Sequence, residues 1–399
     1  MSSFSAAALA TAVPPLVDAP ATTTASASAS ASAPARIART SPVRPAPPEP
    51  DLGPNVRVFG PATPAAEIRA AFASAASTDG HRAFLFKPGV YRVDARLDPR
   101  TWVAGLGLAP QDVTVDGALR PPDDGPRPDT GAAVPTVPSG PTVPAGLWRP
   151  VENLVAPGGR VLGGGDKPYL YVDATGAYRV FLPALRDGGA GSPRLGRSAH
   201  GWSVPIDRFF VARPGDSARA LNRALAQGRH LLLTPGVYRL ADTVRVKWAG
   251  TVVLGLGCAT LAPVGGTVPM TVADARGVRL AGLLFDAGQG TSPVLLEVGR
   301  SAGGRSDPRE PASVQDVFFR IGGAEEGRPA TALLVHSDHV RLDRVWAWHA
   351  GQGTGAGWTA GDTAGGATGD EAGGGCAFGA QDRPGVRFHD LPALPAAQA

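Results

Sequence analysis

The sequence predicts an all-β protein with short helices, folded as a right-handed parallel β-helix in a tandem repeat of two incomplete solenoids. Three observations predict this fold. A unit of helix, strand, Pro-Gly turn and Gly-Leu-Gly strand occurs twice, short apolar strands follow the second copy, and 53 glycines and 40 prolines make up nearly a quarter of the 399 residues. Glycine and proline are the poorest helix formers, which excludes long helices and coiled coils.

The repeat is clearest around a Pro-Gly turn. The segment FLFKPGVYRV at 84–93 matches LLLTPGVYRL at 231–240, and VAGLGL at 103–108 matches VLGLGC at 253–258. Proline presets φ and glycine supplies the positive φ of a type II turn, so the pair makes a tight corner. Five similar elements in the same order indicate an internal duplication.

A helix start precedes each copy of the turn. Thr63 and Pro64 form an N-cap and first-turn proline, and Asp216 is the predicted N-cap in the second copy. The duplication divides the chain into five predicted segments: a disordered Ala/Ser/Pro-rich tether at 1–50, a first truncated β-helix unit at 51–165, a connection at 166–208, a second β-helix unit at 209–358 and a disordered Gly/Ala-rich tail at 359–399.

The second unit continues as short strands. The apolar patterns at 278–288, 313–323 and 340–351 resemble one another, and shorter runs separate them. Strands recurring at such intervals are typical of a solenoid that stacks coils around an apolar axis. A β-sandwich is the competing fold, but it favours hairpin dipeptides such as Asn-Gly, which these turns lack.

Composition and charge exclude some functions. The formal net charge is +4 with arginines scattered between acids, so no basic stripe for nucleic acid is present. No apolar run reaches the roughly 18–20 residues of a membrane span. The N-terminus shows no evident signal peptide, yet a flexible tether ahead of a β-rich body fits a protein that is secreted or held at the cell surface.

These motifs resemble the pectate-lyase superfamily, in particular tandem β-helix proteins of glycoside hydrolase family 55, which are exo-β-1,3-glucanases, and related actinobacterial secreted proteins. The segments that carry the resemblance are GPNVRVFGP at 53–61, FKPGVYRVDARL at 86–97, LWRPVENL at 147–154, KPYLYVDATGAYRVFLPALR at 167–186 and the run from 209 through Trp358. Relatives are often labelled adenylyl cyclase, but the metal-binding carboxylate pair and base-reading side chains of a cyclase are not identifiable. The resemblance implies a polysaccharide substrate, no cofactor and a monomer.

The sequence departs from the family pattern in two places. After Asn153 and Leu154 the first solenoid lacks most of the coils expected of the family, and after Trp358 the Gly/Ala-rich tail has no strand pattern. We therefore expect a truncated or frame-shifted chain whose activity could be lost.

Hydrolysis of a glycosidic bond requires two carboxyl groups roughly 5–9.5 Å apart. Ends of stacked strands can supply such pairs, and the catalytic candidates are Asp286, Glu297, Asp316, Asp338 and Asp343. The alternative for each is an aspartate that accepts hydrogen bonds from turn N–H groups. The resemblance places the family's catalytic acid in late coils, and no residue here matches it.

Aromatic residues cluster near the end of the second unit. The substrate-binding candidates are Trp346, Trp348, His349 and Trp358. Trp346 and Trp348 share parity in a strand and so face one side, where they either stack on sugar rings or pack in the core. No metal site is expected, because a site from two cysteines is not favoured, and His336 and His339, although three residues apart, point to opposite faces in a strand.

Three functions remain open at this stage. The first is a glucanase-like glycoside hydrolase acting on a β-glucan or related polysaccharide. The second is a non-catalytic polysaccharide-binding or surface protein. The third is a polysaccharide lyase, which would need a basic residue beside a calcium-binding acid cluster, and no such cluster is visible. The Gly-Leu-Gly elements do not open helices, so phosphate binding is not expected of them.

Overall fold

The computed structural model describes residues 47–76, 80–98, 100–120, 151–162, 167–185, 200–300, 307–321, 329–349, 378–380 and 387–389. In these ranges the helices are α1 (Ala65–Ala76) and α2 (Ala218–Ala226). The first thirteen strands are β1 (Val56–Phe59), β2 (Arg82–Phe86), β3 (Gly89–Tyr91), β4 (Ala95–Arg96), β5 (Thr101–Gly105), β6 (Val113–Val115), β7 (Leu119–Arg120), β8 (Val151–Glu152), β9 (Leu154–Ala156), β10 (Arg160–Leu162), β11 (Tyr169–Val172), β12 (Tyr178–Pro183) and β13 (Gly201–Pro205). The others are β14 (Phe209–Ala212), β15 (His230–Leu233), β16 (Gly236–Leu240), β17 (Val244–Val246), β18 (Val252–Pro263), β19 (Met270–Val272), β20 (Arg279–Asp286), β21 (Leu296–Val298), β22 (Ala312–Ile321), β23 (Leu333–Val335), β24 (Val340–His349), β25 (Phe378–Ala380) and β26 (Arg387–His389).

The second half of the chain forms a parallel β-helix. Its large sheet has the order β14-β15-β18-β20-β22-β24-β26 with β16 beside β18, and a narrower sheet has the order β17-β19-β21-β23-β25. Neighbouring strands in both sheets are parallel and come from successive coils. The chain therefore alternates between two walls, as predicted from the recurring apolar strands.

The first half has two smaller sheets. One has the parallel order β1-β2-β5-β8, and the other has the order β10-β9-β6-β3, parallel except for the pair of β9 and β10. Strands β11, β12 and β13 form an antiparallel sheet between the two halves of the sequence.

Both copies of the Pro-Gly-Val-Tyr motif make the same contacts. The Tyr91 hydroxyl donates to the carbonyl oxygens of Phe59 and Lys87, at 3.1 and 2.7 Å. The Tyr238 hydroxyl donates to those of Ala212 and Thr234, both at 2.9 Å. Each tyrosine thus ties its turn to the strand before the helix. Burial raises the pKa of both phenols, so they remain protonated donors.

Three apolar clusters hold the structure together. One fills the interior of the second half and another the interior of the first. The third joins the outer faces of the two halves, with Trp102 and Ala104 of β5 near Leu254 of β18, and Leu170 and Val180 of the antiparallel sheet. This third cluster fixes the relative position of β5 and β18, which frame the cavity described below.

A buried asparagine closes the corner between β8 and β9. Asn153 has a φ of 53°, and its side-chain amide donates to the carbonyl oxygens of Gly105 and Gly107, both at 2.8 Å. A Cβ on Gly105 would lie 2.0 Å from the Asn153 carbonyl oxygen, so only glycine fits under the corner. The Gly-Leu-Gly element therefore serves close packing of coils.

We expect Asn153→Ala to lower the free energy of unfolding by about 2–4 kcal/mol, since it strands two buried carbonyl groups and keeps a strained left-handed backbone. Asn153→Gly relieves the strain alone and should lose less. Urea denaturation of both variants measures this. An alanine variant as stable as the original protein would contradict the assignment.

Two details differ from the sequence predictions. Ser217 caps α2 by accepting from the Ala220 N–H, whereas the carboxylate of the predicted cap, Asp216, accepts from the Arg213 N–H one turn earlier. Strands β25 and β26 lie in the segment 359–399, for which the sequence predicts no strands. In the described part of the chain no helix is long and apolar enough to cross a membrane.

Candidate functional site

Three strands of the large sheet bend at one residue each. Gly282, Asp316 and Arg344 have φ values of 67°, 52° and 53°, and strand pairing skips all three. The bend turns them out of the regular alternation of inward and outward side chains. Glycine and aspartate tolerate this backbone more readily than arginine does, so the contacts of Arg344 must compensate for its strain.

These bends form one wall of a small surface cavity that is partly open to solvent. The opposite wall comes from the first half of the chain and the connection, through Trp102, Glu152 and Lys167. Phe318, two residues after Asp316 on β22, completes the lining together with Gly255 and Gly257 of β18. The cavity thus lies where β5 and β8 of the first half meet the bends of the second.

Four charged side chains meet in this cavity. The Lys167 Nζ lies 2.7 Å from Glu152 Oε1 and 2.6 Å from Asp316 Oδ2, and the Arg344 Nε lies 3.0 Å from Asp316 Oδ1. The side chains of Lys167, Glu152 and Asp316 are 17%, 12% and 8% exposed. Two cations and two carboxylates balance, so the network has no net charge.

Lys167 stays protonated in this setting. Burial works to lower its pKa, but the Asp316 and Glu152 carboxylates outweigh burial and raise the pKa above 10.5. The charged amine holds two carboxylates that come from opposite halves of the chain. Because both oxygens contact the same nitrogen, they lie at most about 5.3 Å apart, which is no wider than the roughly 5–5.5 Å between the carboxyl groups of retaining glycosidases.

Of the five catalytic candidates, only Asp316 lines the cavity. Asp286 is buried in a two-bond ion pair with Arg320, with Nε–Oδ1 at 3.0 Å and Nη2–Oδ2 at 2.5 Å. Glu297 lies on β21 of the narrower sheet, 3.7 Å from His336 Nε2. Asp343 is paired in register with Gln315, next to Asp316, and Asp338 lies in the turn before β24.

Trp346 faces away from the interior of the coil, because its neighbours Val345 and Ala347 belong to the interior cluster. It is only 7% exposed, and its Nε1 has no hydrogen-bond partner among the described residues. It lies beside Phe318 in register, so it borders the cavity wall and is not an open stacking surface. The predictions for the side chains of Trp348 and His349 and for Trp358 lie outside what the structure describes.

Sequence reasoning missed Glu152, Lys167 and Arg344. One signal could have found Lys167, since it is one of only three lysines in a chain with 38 basic residues. Glu152 stands beside the corner residue Asn153, in a segment noted for its family resemblance. In the described ranges no three His, Cys, Asp or Glu side chains converge as a metal site.

The charge of Arg320 in the second half also acts on His81, a partly buried residue of the first half. Burial, followed by the charges of Arg320 and Arg100, lowers the pKa of His81 from 6.5 to about 4, while Asp98 opposes the shift. The folded protein therefore keeps His81 neutral at a pH where the unfolded chain binds a proton.

We expect this difference to make stability pH-dependent. The contribution of neutral His81 is complete above pH 6.5 and is lost as the pH falls through about 4. His81→Gln should flatten the fall in melting temperature between pH 6.5 and 4. Parallel curves for the variant and the original protein would contradict the assigned environment.

Comparison with known proteins supports the family suggested by the motifs. Residues 209–376 match the model of the LAM55 pectate lyase-like domain. The chain is 32% identical over 396 residues to an exo-beta-1,3-glucanase of Streptomyces sp. (strain SirexAA-E / ActE), covering 77% of this chain and 65% of that protein, so it spans just under two thirds of this relative's length.

Solved structures agree with the sequence match. The structure of sacteLam55A from Streptomyces sp. SirexAA-E is similar with a TM-score of 0.64 and 30% identity, over 77% of this chain and 72% of the other. A variant of the same protein in complex with glucose is similar with a TM-score of 0.63 and 30% identity, over 78% and 72%. The chain thus belongs to the Lam55 family of pectate-lyase-like β-helix proteins.

Proposed function

We propose that this chain is a glucanase-like glycoside hydrolase and that the substrate is a β-1,3-glucan or a related neutral polysaccharide. The observation that carries the proposal is the 32% identity to an exo-beta-1,3-glucanase. The 30% identity to a protein whose variant was solved in complex with glucose supports it. The cavity agrees with a neutral substrate, because its two carboxylates and two cations balance.

In this proposal the cavity binds the glucan chain. Asp316 and Glu152 lie close enough to act on one glycosidic bond, and Lys167 contacts both carboxylates. A charged carboxylate suits a nucleophile or general base, and we assign this role to Asp316, since it also contacts Arg344. Trp102 and Phe318 offer apolar surface to a sugar ring.

The proposed architecture is a tandem of two right-handed solenoids, at 51–165 and 209–358, joined by 166–208. The repeated tyrosine contacts support it, and so do the corners, where Gly105 lies under Asn153 as Gly255 lies under Gly282. Glucan substrates are extracellular polymers, so we propose that the protein is secreted or held at the cell surface. We further propose that it acts as a monomer.

One observation favours a second function, a non-catalytic polysaccharide-binding protein. Both acidic side chains that line the cavity contact Lys167, so neither is placed as a proton donor. In this second function the network of ion pairs has a purely structural role and joins the two halves of the chain. A polysaccharide lyase is less favoured, because the cations of the cavity are neutralised by carboxylates.

Reducing-sugar assays separate these functions. We expect the full chain to release reducing sugar from β-1,3-glucan and to leave polygalacturonate unchanged. Retained binding to insoluble β-1,3-glucan without any release would favour the binding protein, whereas unsaturated products from polygalacturonate would identify a lyase. Failure to bind or cleave β-1,3-glucan would refute the proposal.

A further inference from the structure

Two tryptophans of the described residues lie open to solvent. Trp202 on β13 is 52% exposed, and Trp248, in the turn before β18, is 58% exposed. Among the described residues the other large hydrophobic side chains with such exposure are the valines Val90, Val237 and Val264. An exposed indole leaves a large apolar area in water, which is typical of a binding surface.

The Trp202 ring is held in a fixed orientation. The guanidinium carbon of Arg279 lies 4.7 Å from its centroid, and Arg279 is itself buried, with its Nη1 donating to the Pro183 carbonyl oxygen at 2.6 Å. The ring therefore rests on a cation that cannot move away, and half of its surface remains open. A fixed flat ring loses little conformational entropy on binding.

Hydrogen bonds connect Trp248 to Arg279 through Thr251. The Thr251 hydroxyl donates to the Trp248 carbonyl oxygen at 2.7 Å, and the Arg279 N–H donates to the Thr251 carbonyl oxygen at 2.9 Å. Trp202 on the antiparallel strand β13 and Trp248 in the turn before β18 are thus linked through Arg279 and Thr251. We call the pair Trp202 and Trp248, with Arg279 beneath, the tryptophan platform.

We propose that the tryptophan platform is a second binding site for a neutral β-1,3-glucan chain, outside the cavity; this inference rests on the proposed function. The C–H faces of glucose rings stack on indoles, and the nearby cation Arg276 is compensated by two carboxylates, 3.3 Å from Glu310 and 4.0 Å from Asp307. A polyanion would find no uncompensated cation in these pairs.

Position connects the platform to the cavity. Arg279 begins β20, and Gly282, three residues further along the same strand, lines the cavity. Three residues of strand span about 10 Å, so one glucan chain can reach both places. The platform would hold the distal part of a long chain whose end enters the cavity.

Binding measurements on three variants test this inference. We expect Trp202→Ala and Trp248→Ala each to weaken binding of a long soluble β-1,3-glucan about 2- to 10-fold, and the double variant to lose about the product. Binding of a disaccharide should weaken less, because it reaches only the cavity. Trp248 lies in an exposed turn, so its variant keeps the test valid if Trp202→Ala fails to fold. Val264→Ala, an exposed apolar control, should bind like the original protein.

The outcomes separate the platform from the proposed function. A double variant that binds long glucan within twofold of the original protein overturns the platform and leaves the hydrolase proposal standing. An original protein that binds no β-1,3-glucan overturns both. An equal loss for long glucan and disaccharide would also overturn the platform, since it would indicate damage to the cavity.

Discussion

Replacing Asp316 by asparagine should lower the rate of reducing-sugar release from β-1,3-gluco-oligosaccharides by at least about 100-fold. The asparagine side chain keeps the shape of aspartate but can neither attack an anomeric carbon nor take a proton from water. It also leaves Lys167 and Arg344 with one carboxylate fewer. Initial rates at saturating substrate measure the effect on the chemical step.

A stability loss must be separated from a loss of chemistry. Asp98→Asn provides the matched control, because Asp98 is similarly buried and paired with Arg100 at 3.3 Å, yet it does not line the cavity. Both variants should lose comparable stability, while only Asp316→Asn should lose activity. A folded Asp316→Asn variant with normal rates would refute the role assigned to Asp316.

Replacing Lys167 by methionine should lower the free energy of unfolding by about 3–5 kcal/mol, because it leaves two buried carboxylates without their shared cation. The fully charged lysine contributes at neutral pH, since its folded pKa lies above 10.5, and its contribution is lost only as the pH rises through that folded value. Below neutral pH the stability deficit of the variant should shrink, because protonation neutralises the buried carboxylates that have lost their shared cation. Denaturant titrations at several pH values measure the loss in free energy of unfolding and its dependence on pH.

An exposed ion pair provides the comparison for Lys167. Arg57 lies 2.8 Å from Glu67 with both side chains about half exposed, so Arg57→Met should cost less than about 1 kcal/mol. Because the N–O distances of the two ion pairs are nearly the same, the difference in stability loss between the two variants measures the effect of burial. Equal losses for the two variants, or a Lys167→Met variant as stable as the original protein, would contradict the proposed joining role.

Local chemistry explains why much of the fold could be predicted. The predictions rest on features whose contacts lie within one coil or with the next coil: the Pro-Gly turn, the tyrosine two residues after its glycine and the short apolar strands. The N-cap was misplaced by one residue because Asp216 and Ser217 are adjacent and both accept backbone hydrogen bonds. The strands β25 and β26 were missed since parallel pairing with earlier coils leaves little periodic pattern in such short segments.

The candidate site was harder to predict because its contacts are long-range. Asp316 was identified as a carboxylate on a late strand, but Lys167 and Glu152 come from parts of the chain that only the packing of the two halves brings near. Strand parity predicts that Trp346 and Trp348 share a side but not which side, and the burial of Trp346 depends on neighbours outside its own strand. Arg344 gave no signal, since an arginine with positive φ cannot be recognised without the bend of β24.

Calorimetric titration of the full chain with a short β-1,3-gluco-oligosaccharide tests the central claim most directly, that the chain recognises neutral β-1,3-glucan. A galacturonate oligosaccharide of equal length serves as the parallel titrant. The account predicts saturable binding of the gluco-oligosaccharide and no measurable binding of the galacturonate. Binding of the galacturonate alone, or of neither sugar, would contradict it.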